Sequence, residues 1–259
     1  MKDAWPNPPL TIRLGTLMSS EDTATASIFI RNSSIAILLL MPIAALGTRF
    51  GIWPFTIGLL LFAVSMLSSV LIQIITAIWL IRKPQKPGTK TALRWASVFA
   101  LPPLVIVALT LSNMSKGYPP IHNISTDTAN PPQFTQALTQ RGSDSNPLDY
   151  SKELAHIQNA AYPDLTTVMS TKSASDTYKN ALAICLENGW DVYGQNPEDG
   201  TIEAVDTSFW FGFKDDIIVR IEATDTGSKM DLRSVSRVGV SDIGVNANRI
   251  RHFVTSFEP

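Results

Sequence analysis

IWPFTIGLLLFAVSMLSSVLIQIITAIWLI, residues 52–81, is an uninterrupted run without a charged side chain. A helix needs about 20 predominantly apolar residues to cross the hydrocarbon core of a bilayer. Shorter apolar stretches lie on either side, at 34–48 and 95–111, and both reach that length with their flanking residues. The sequence therefore predicts three transmembrane helices within residues 33–112.

The first stretch, 34–48, could alternatively be a cleaved signal peptide. A long segment precedes it, however, and another apolar stretch follows where a soluble domain would be expected, so a membrane span is favoured. The three stretches contain no acidic, basic or histidine side chain. Ionisable groups inside a membrane mark ion paths and proton relays, and their absence argues against a transporter, pump or channel.

Basic residues predict the orientation of the helices. Residues 82–94 contain five of them and no acid: Arg82, Lys83, Lys86, Lys90 and Arg94. Because loops rich in Lys and Arg stay in the cytoplasm, we expect this loop and the N-terminus to be cytoplasmic. The turn at Arg49 and the C-terminal region would then lie outside, which in a bacterium means a multi-pass inner-membrane protein with a periplasmic domain.

Composition excludes several classes of site. The formal net charge of -1 argues against a nucleic-acid partner, because phosphate binding needs a basic surface. The single cysteine, Cys185, excludes an intrachain disulfide and a cysteine zinc cluster, and the three histidines lack ligand spacing. We therefore expect neither a metal nor a cofactor, and membrane lipid as a partner.

The rest of the chain divides into three parts. Residues 1–32 form a leader whose weak apolar pattern at 10–18 fits either a segment on the membrane surface or a disordered tail. Residues 113–161, rich in Pro, Ser, Thr, Asn and Asp, indicate an extended linker with short helices. Residues 162–259 show the order strand, helix, four strands, helix. This order predicts an α+β domain: an antiparallel sheet with two helices on one face and an open opposite face.

Several motifs of this region resemble one family. They are the stretch 121–127 with Pro131-Pro132, Tyr162-Pro163-Asp164, Gly189-Trp190, Ile202-Glu203-Ala204, Phe211 to Asp216, and Asp231 to Gly239 followed by Ser241-Asp242, Gly244, Asn246-Ala247 and Arg249-Ile250. In this order they resemble the domain of unknown function 1499 over about residues 118–259. The resemblance implies a fold and an envelope or thylakoid-type membrane context; it implies no reaction and no catalytic residue.

Polar side chains concentrate at the end of the domain and form the candidate ligand or partner site. They are Lys214, Asp215, Asp216, Arg233, Ser234, Ser236, Arg237, Ser241, Asp242, Asn246 and Arg249. Strand alternation places Arg233 and Arg237 on one face and the two serines on the other. The set fits a structural network, in which Asp242 caps the last helix and an arginine pairs with Asp215 or Asp216, or it fits a binding site. A catalytic centre would need a base beside a serine, and no histidine is placed there by the sequence.

A run of aromatic residues provides the interface candidates, Phe209, Trp210, Phe211 and Phe213. These residues are typical of either a core strand or an exposed patch against the membrane or a partner. Together the features favour a non-enzymatic membrane protein whose outward-facing domain binds a protein partner or a lipid-like ligand. The alternatives are an accessory subunit of a larger respiratory or photosynthetic complex and, less favoured, an envelope hydrolase.

Overall fold

The computed structural model describes residues 20–82 and 86–257. The described residues form two compact units, the first made of 20–41, 61–82 and 86–106, and the second made of 42–60 and 107–257. The leader pattern at residues 10–18 and the basic side chain of Lys83 lie outside the described residues. Each unit is described below by itself.

Three long helices are present where the sequence predicts them: α1 (Ser20–Arg49), α2 (Phe55–Arg82) and α3 (Pro87–Met114). All three are long and apolar enough to cross a membrane. The 28 residues of α2 extend about 42 Å, more than the ~30 Å of a hydrocarbon core. α1 begins at Ser20, within the segment interpreted as the leader, so helical structure continues beyond the apolar stretch.

Small and polar side chains pack the helices of the first unit. Ile72 of α2 is buried against Ala96 and Ala100 of α3. Small side chains such as these two alanines allow neighbouring helices in a membrane to approach closely. The Gln73 amide donates to the Ser97 carbonyl at 2.8 Å, and the Ser97 hydroxyl donates to Gln73 Oε1 at 2.6 Å. These uncharged polar groups are satisfied within the bundle.

The second unit contains an α+β fold. Its helices and strands are β1 (Asn123–Ser125), α4 (Ala137–Gln140), α5 (Lys152–Ala161), β2 (Val168–Ser170), α6 (Ala174–Glu187), β3 (Asp191–Asn196), β4 (Thr201–Thr207), β5 (Lys214–Thr224), β6 (Gly227–Ser236) and α7 (Val245–Ser256). The six strands form one antiparallel sheet in the order β1-β6-β5-β4-β3, with β2 also paired to β6. This confirms the predicted fold class.

Both long helices of the domain, α6 and α7, pack on the same face of the sheet. Their buried side chains form one core cluster with Ile217 and Val219 of β5 and Leu232 of β6. Trp190 stacks on Phe253 of α7 with ring centroids 5.6 Å apart. The central strands therefore alternate as predicted, with one set of residues in this core and the other set on the opposite face.

The opposite face corrects two expectations. It is covered by residues 126–150, called here the covering segment, where an open face was expected. Phe134 and Ala137 of this segment pack on Ile218 and Val235 of the sheet. The region interpreted as an extended linker also supplies β1, so the compact fold begins well before residue 162. Backbone pairing, a few buried apolar groups and polar contacts with the sheet fold a segment whose composition is typical of a linker.

Cys185 lies on the buried stripe of α6 and is fully buried. Burial raises the pKa of its thiol to about 12. Because the thiolate is the nucleophile, we expect a maleimide to leave Cys185 of the folded protein unmodified at neutral pH and to modify it once the domain unfolds. Mass spectrometry of the full chain after a short pulse of reagent, with and without urea, would test this. Rapid modification without urea would contradict the buried position.

Candidate functional site

Asp216 of β5 lies at the centre of a buried ion cluster on the covered face. Its side chain is 0% exposed, and Arg237 Nη2 donates to Oδ1 at 2.7 Å while Arg237 Nε donates to Oδ2 at 3.0 Å. Arg141 of the covering segment donates to the same carboxylate, and the Tyr193 hydroxyl donates to it at 3.2 Å. Burial opposes the charge on Arg237, but the hydrogen bond to Asp216 and the attraction of its negative charge together outweigh burial and raise the pKa of Arg237. We call these four residues the Asp216 cluster.

Arg233, four residues before Arg237, is 1% exposed and has a different environment. Its Nε donates to Asn123 Oδ1 at 3.1 Å, its Nη1 donates to the Pro132 carbonyl at 2.9 Å, and its Nη2 donates to the Leu148 carbonyl. All three acceptors are neutral. Burial lowers the pKa of Arg233 to about 10. The side chain therefore fastens the covering segment and β1 to the sheet.

On the helix-covered face, Arg249 of α7 organises a second cluster, the Arg249 network. Its Nη2 donates to Asp206 Oδ2 at 2.8 Å and to Asp215 Oδ2 at 2.7 Å. Its Nη1 donates to Ser234 Oγ at 3.0 Å and to Asn246 Oδ1 at 2.5 Å. Asp215 and Asp216 thus point to opposite faces, as strand alternation predicts.

Asn246 and Asp242 connect the Arg249 network to the start of α7. Asn246 Nδ2 donates to Ser236 Oγ at 2.9 Å and to the His122 carbonyl at 3.0 Å. Asp242 accepts the backbone N–H groups of Gly244 and Asn246, each at 2.8 Å, and so satisfies donors at the start of α7, although the N-cap position itself is occupied by Gly244. Burial raises the pKa of Asp242, and these backbone bonds oppose that rise. Ser234 and Ser236 are thus both hydrogen-bonded to Asn246, and Ser234 is also hydrogen-bonded to Arg249.

The structure does not bring every candidate residue into these clusters. Lys214 is exposed and contributes its backbone carbonyl, which accepts the Arg237 N–H at 2.9 Å. Ser241 is exposed in the loop before α7 and accepts the Ile243 N–H at 3.2 Å. The candidate residues therefore separate into three groups. The Asp216 cluster and Arg233 lie on the covered face, the Arg249 network lies on the helix-covered face, and Lys214 and Ser241 lie at the surface.

Glu203 of β4 is a buried group that the sequence-based selection missed. It is 3% exposed and accepts the backbone N–H groups of Thr135, Gln136 and Ala137 at 2.8–2.9 Å and the Thr135 hydroxyl at 2.7 Å. A carboxylate at the start of a helix offsets the dipole of α4. Its position between Ile202 and Ala204 gave the only signal, a charged residue in the middle of a strand.

A surface groove lies between α7 and the neighbouring strands, and we call it the α7 groove. Its volume is about 410 Å³. It is lined by Asn188, Trp190, Asp206, Val245, Asn248, Arg249 and His252. Val245, Asn248 and His252 are exposed, whereas Trp190 is buried, so the lining combines exposed polar groups with the apolar side chains of Val245 and Trp190. Here the Arg249 network reaches solvent.

Residues 123–257 match the family described as Protein of unknown function (DUF1499). The match covers more than half of the chain. The protein belongs to the DUF1499 family. The DUF1499 domain begins at β1 and ends after α7, so the covering segment is an integral part of it. No curated protein matches the chain significantly.

The aromatic run of the DUF1499 domain divides into an inner and an outer pair. Phe211 and Phe213 are partly buried and stack with ring centroids 5.2 Å apart. Phe209 and Trp210 are 73% and 56% exposed. In the described parts of the chain, 20–82 and 86–257, no three His, Cys, Asp or Glu side chains are grouped to hold a metal ion.

Proposed function

We propose that the protein is a non-enzymatic membrane protein of the cell envelope whose DUF1499 domain binds a protein partner or a lipid-like ligand. The observation that carries this proposal is the α7 groove, where Arg249 and Asp206 lie beside the exposed Val245. Concave sites that combine an apolar lining with a few convergent polar groups are typical of binding sites.

The chemistry of the α7 groove favours a segment of a protein over an acyl chain. An acyl chain requires an apolar cavity that excludes water, whereas this groove is open and has exposed Asn248 and His252 in its lining. Arg249 is already paired with Asp206 and Asp215, so its charge is balanced and a strongly anionic ligand gains little from it. A partner that offers an apolar side chain flanked by hydrogen-bonding groups fits this lining.

We further propose that the DUF1499 domain lies outside the cytoplasm, in the periplasm if the membrane is a bacterial inner membrane. Two features support this: residues 82–94 contain five basic residues and no acid, and this stretch runs from the last residue of α2 into the first two turns of α3. If all three helices cross the bilayer, the turn at Arg49 and the domain after α3 are on one side. Contact between Arg49 and the domain, described in the next section, agrees with that arrangement.

Substitution of Val245 in the groove should reduce partner binding. Val245→Glu places a charge on the apolar lining, and a glutamate in the first turn of α7 favours the helix, so the fold is retained. Leu138→Glu is the matched control, because Leu138 is an exposed apolar residue in the first turn of α4, away from the groove. We expect the tagged full chain and the control to retain a partner in mild-detergent purification, and Val245→Glu to lose it.

Three outcomes of this purification would point elsewhere. Equal recovery of the partner by all three proteins would remove the α7 groove as the site. A wild-type protein that purifies alone and without bound lipid would contradict the binding function. Co-migration with a large assembly on a native gel, unaffected by Val245→Glu, would favour an accessory subunit of a membrane complex.

A further inference from the structure

Residues 208–213, between β4 and β5, form a closed loop that presents Phe209 and Trp210 outward. The Ser208 N–H donates to the Phe213 carbonyl at 2.8 Å, and the Phe213 N–H donates to Ser208 Oγ at 2.9 Å. Gly212 completes the bend with a φ of 69°. The rings of Phe209 and Trp210 pack edge to face at 5.3 Å. These two exposed aromatic residues are called the aromatic tip.

The loop is seated on the turn between α1 and α2, within the second unit. Arg49 Nη1 donates to the Ser208 carbonyl at 2.8 Å and to the Phe209 carbonyl at 2.6 Å, and its guanidinium lies 5.8 Å from the centroid of the Phe209 ring. Phe213 packs edge to face on Phe55 at 6.2 Å. A Cβ at Gly212 would lie 3.2 Å from the Arg49 Cα, so the two backbones approach closely.

The position of this turn fixes the depth of the aromatic tip relative to a bilayer. α1 and α2 are each long and apolar enough to cross a membrane, and a turn between two spanning helices lies at the membrane surface. Phe50 and Ile52 follow Arg49 in the same turn and are 72% and 70% exposed. Aromatic side chains such as tryptophan are favoured at the boundary between headgroups and acyl chains, whereas several large apolar side chains exposed at one end of a domain are unfavourable in water.

We propose that the aromatic tip, together with Phe50 and Ile52, inserts into the headgroup–acyl boundary of the bilayer. The loop then attaches the DUF1499 domain to the membrane at a second point, in addition to the covalent connection through α3. Two attachment points restrict the rotation of the domain about residues 115–117 and keep one end of the sheet at the lipid surface. The α7 groove then has a fixed orientation relative to the membrane surface.

Fluorescence quenching in vesicles can measure the depth of the tip. The full chain carrying Phe209→Cys would be labelled with a bimane maleimide and reconstituted into phosphatidylcholine vesicles, and a stoichiometry of one label per chain would show that Cys185 stayed buried. Asp225→Cys is the control, since the β5–β6 turn is exposed at the opposite end of the sheet. Trp210→Cys, labelled in the same way, provides a second probe.

We expect a blue-shifted emission at position 209, with more quenching by a nitroxide near the headgroups than by one at the bilayer centre. The label at 225 should be quenched by aqueous iodide and not by lipid nitroxides. If the labels at 209 and 210 respond to iodide as the control does, the tip lies in water and the proposal is overturned. Shielding from both quenchers would also overturn it, and would place the tip against protein, such as a second copy of the chain.

Discussion

Asp216→Asn is expected to destabilise the DUF1499 domain by about 3–5 kcal/mol, the usual cost of removing one partner from a buried ion pair. The carboxylate is 0% exposed, and the side chains of Arg141 and Arg237 that bind it are 6% and 12% exposed. Asparagine leaves these two guanidinium groups facing each other without a compensating charge. Urea unfolding of the full chain in detergent, followed by maleimide modification of Cys185, should show a midpoint lowered by roughly 1.5–2.5 M for an m value of about 2 kcal/mol/M.

Two matched variants separate burial from charge in this experiment. Asp225→Asn removes a carboxylate from the exposed β5–β6 turn and should change stability by less than about 0.5 kcal/mol. Asp215→Asn removes the neighbouring carboxylate, which pairs with Arg249 on the other face and is 14% exposed, so its effect should be intermediate. A midpoint for Asp216→Asn equal to that of Asp225→Asn would show that the Asp216 cluster contributes little to stability.

Strand periodicity was sufficient to assign the candidate residues to faces of the sheet. It separated Arg233 and Arg237 from Ser234 and Ser236 because side chains alternate with a period of two along a strand. The role of Asp242 at the start of α7 also followed from local chemistry. These inferences succeed because they depend on residues that are close in sequence.

The role of the covering segment could not be predicted, because its contacts join residues far apart in the sequence. Its buried apolar residues, such as Phe134 and Ala137, are too few to establish a period along the sequence. Much of its attachment uses backbone groups, which carry no sequence signal: Glu203 accepts backbone N–H groups and Arg233 donates to backbone carbonyls. The charged residues on this face of the strands suggest that it is exposed to solvent, but the covering segment buries it and pairs its charges.

The aromatic run shows a similar limit. Composition indicated either a core strand or an exposed patch, and the loop contains both, with Phe213 turned inward and Phe209 and Trp210 turned outward. The division depends on the bend at Gly212 and on the seat provided by Arg49, which is distant in sequence. Only the folded chain brings these two elements together.

Arg233→Met should release the covering segment, with a loss of stability of about 2–4 kcal/mol. The substitution removes three hydrogen bonds and leaves the carbonyl of Pro132 and the side-chain oxygen of Asn123 unpaired in a buried site. Relief of the desolvation cost of the guanidinium offsets part of this loss. Hydrogen exchange of the full chain in detergent should accelerate most in residues 126–150, with a smaller change in α6.

Arg233→Lys distinguishes the shape of this side chain from its charge. The planar guanidinium lies over the rings of Phe134 and Tyr150, at 5.3 and 5.4 Å from their centroids, and its nitrogens donate to three different acceptors. The ammonium group of lysine cannot make the three hydrogen bonds that the guanidinium makes. It also carries the same cost of burying a charge, so we expect Arg233→Lys to be no more stable than Arg233→Met. Near-wild-type exchange in the lysine variant would mean that positive charge alone retains the segment, since only the charge is common to the two side chains. Rapid exchange in both variants would show that the directional hydrogen bonds of the arginine hold the covering segment on the sheet.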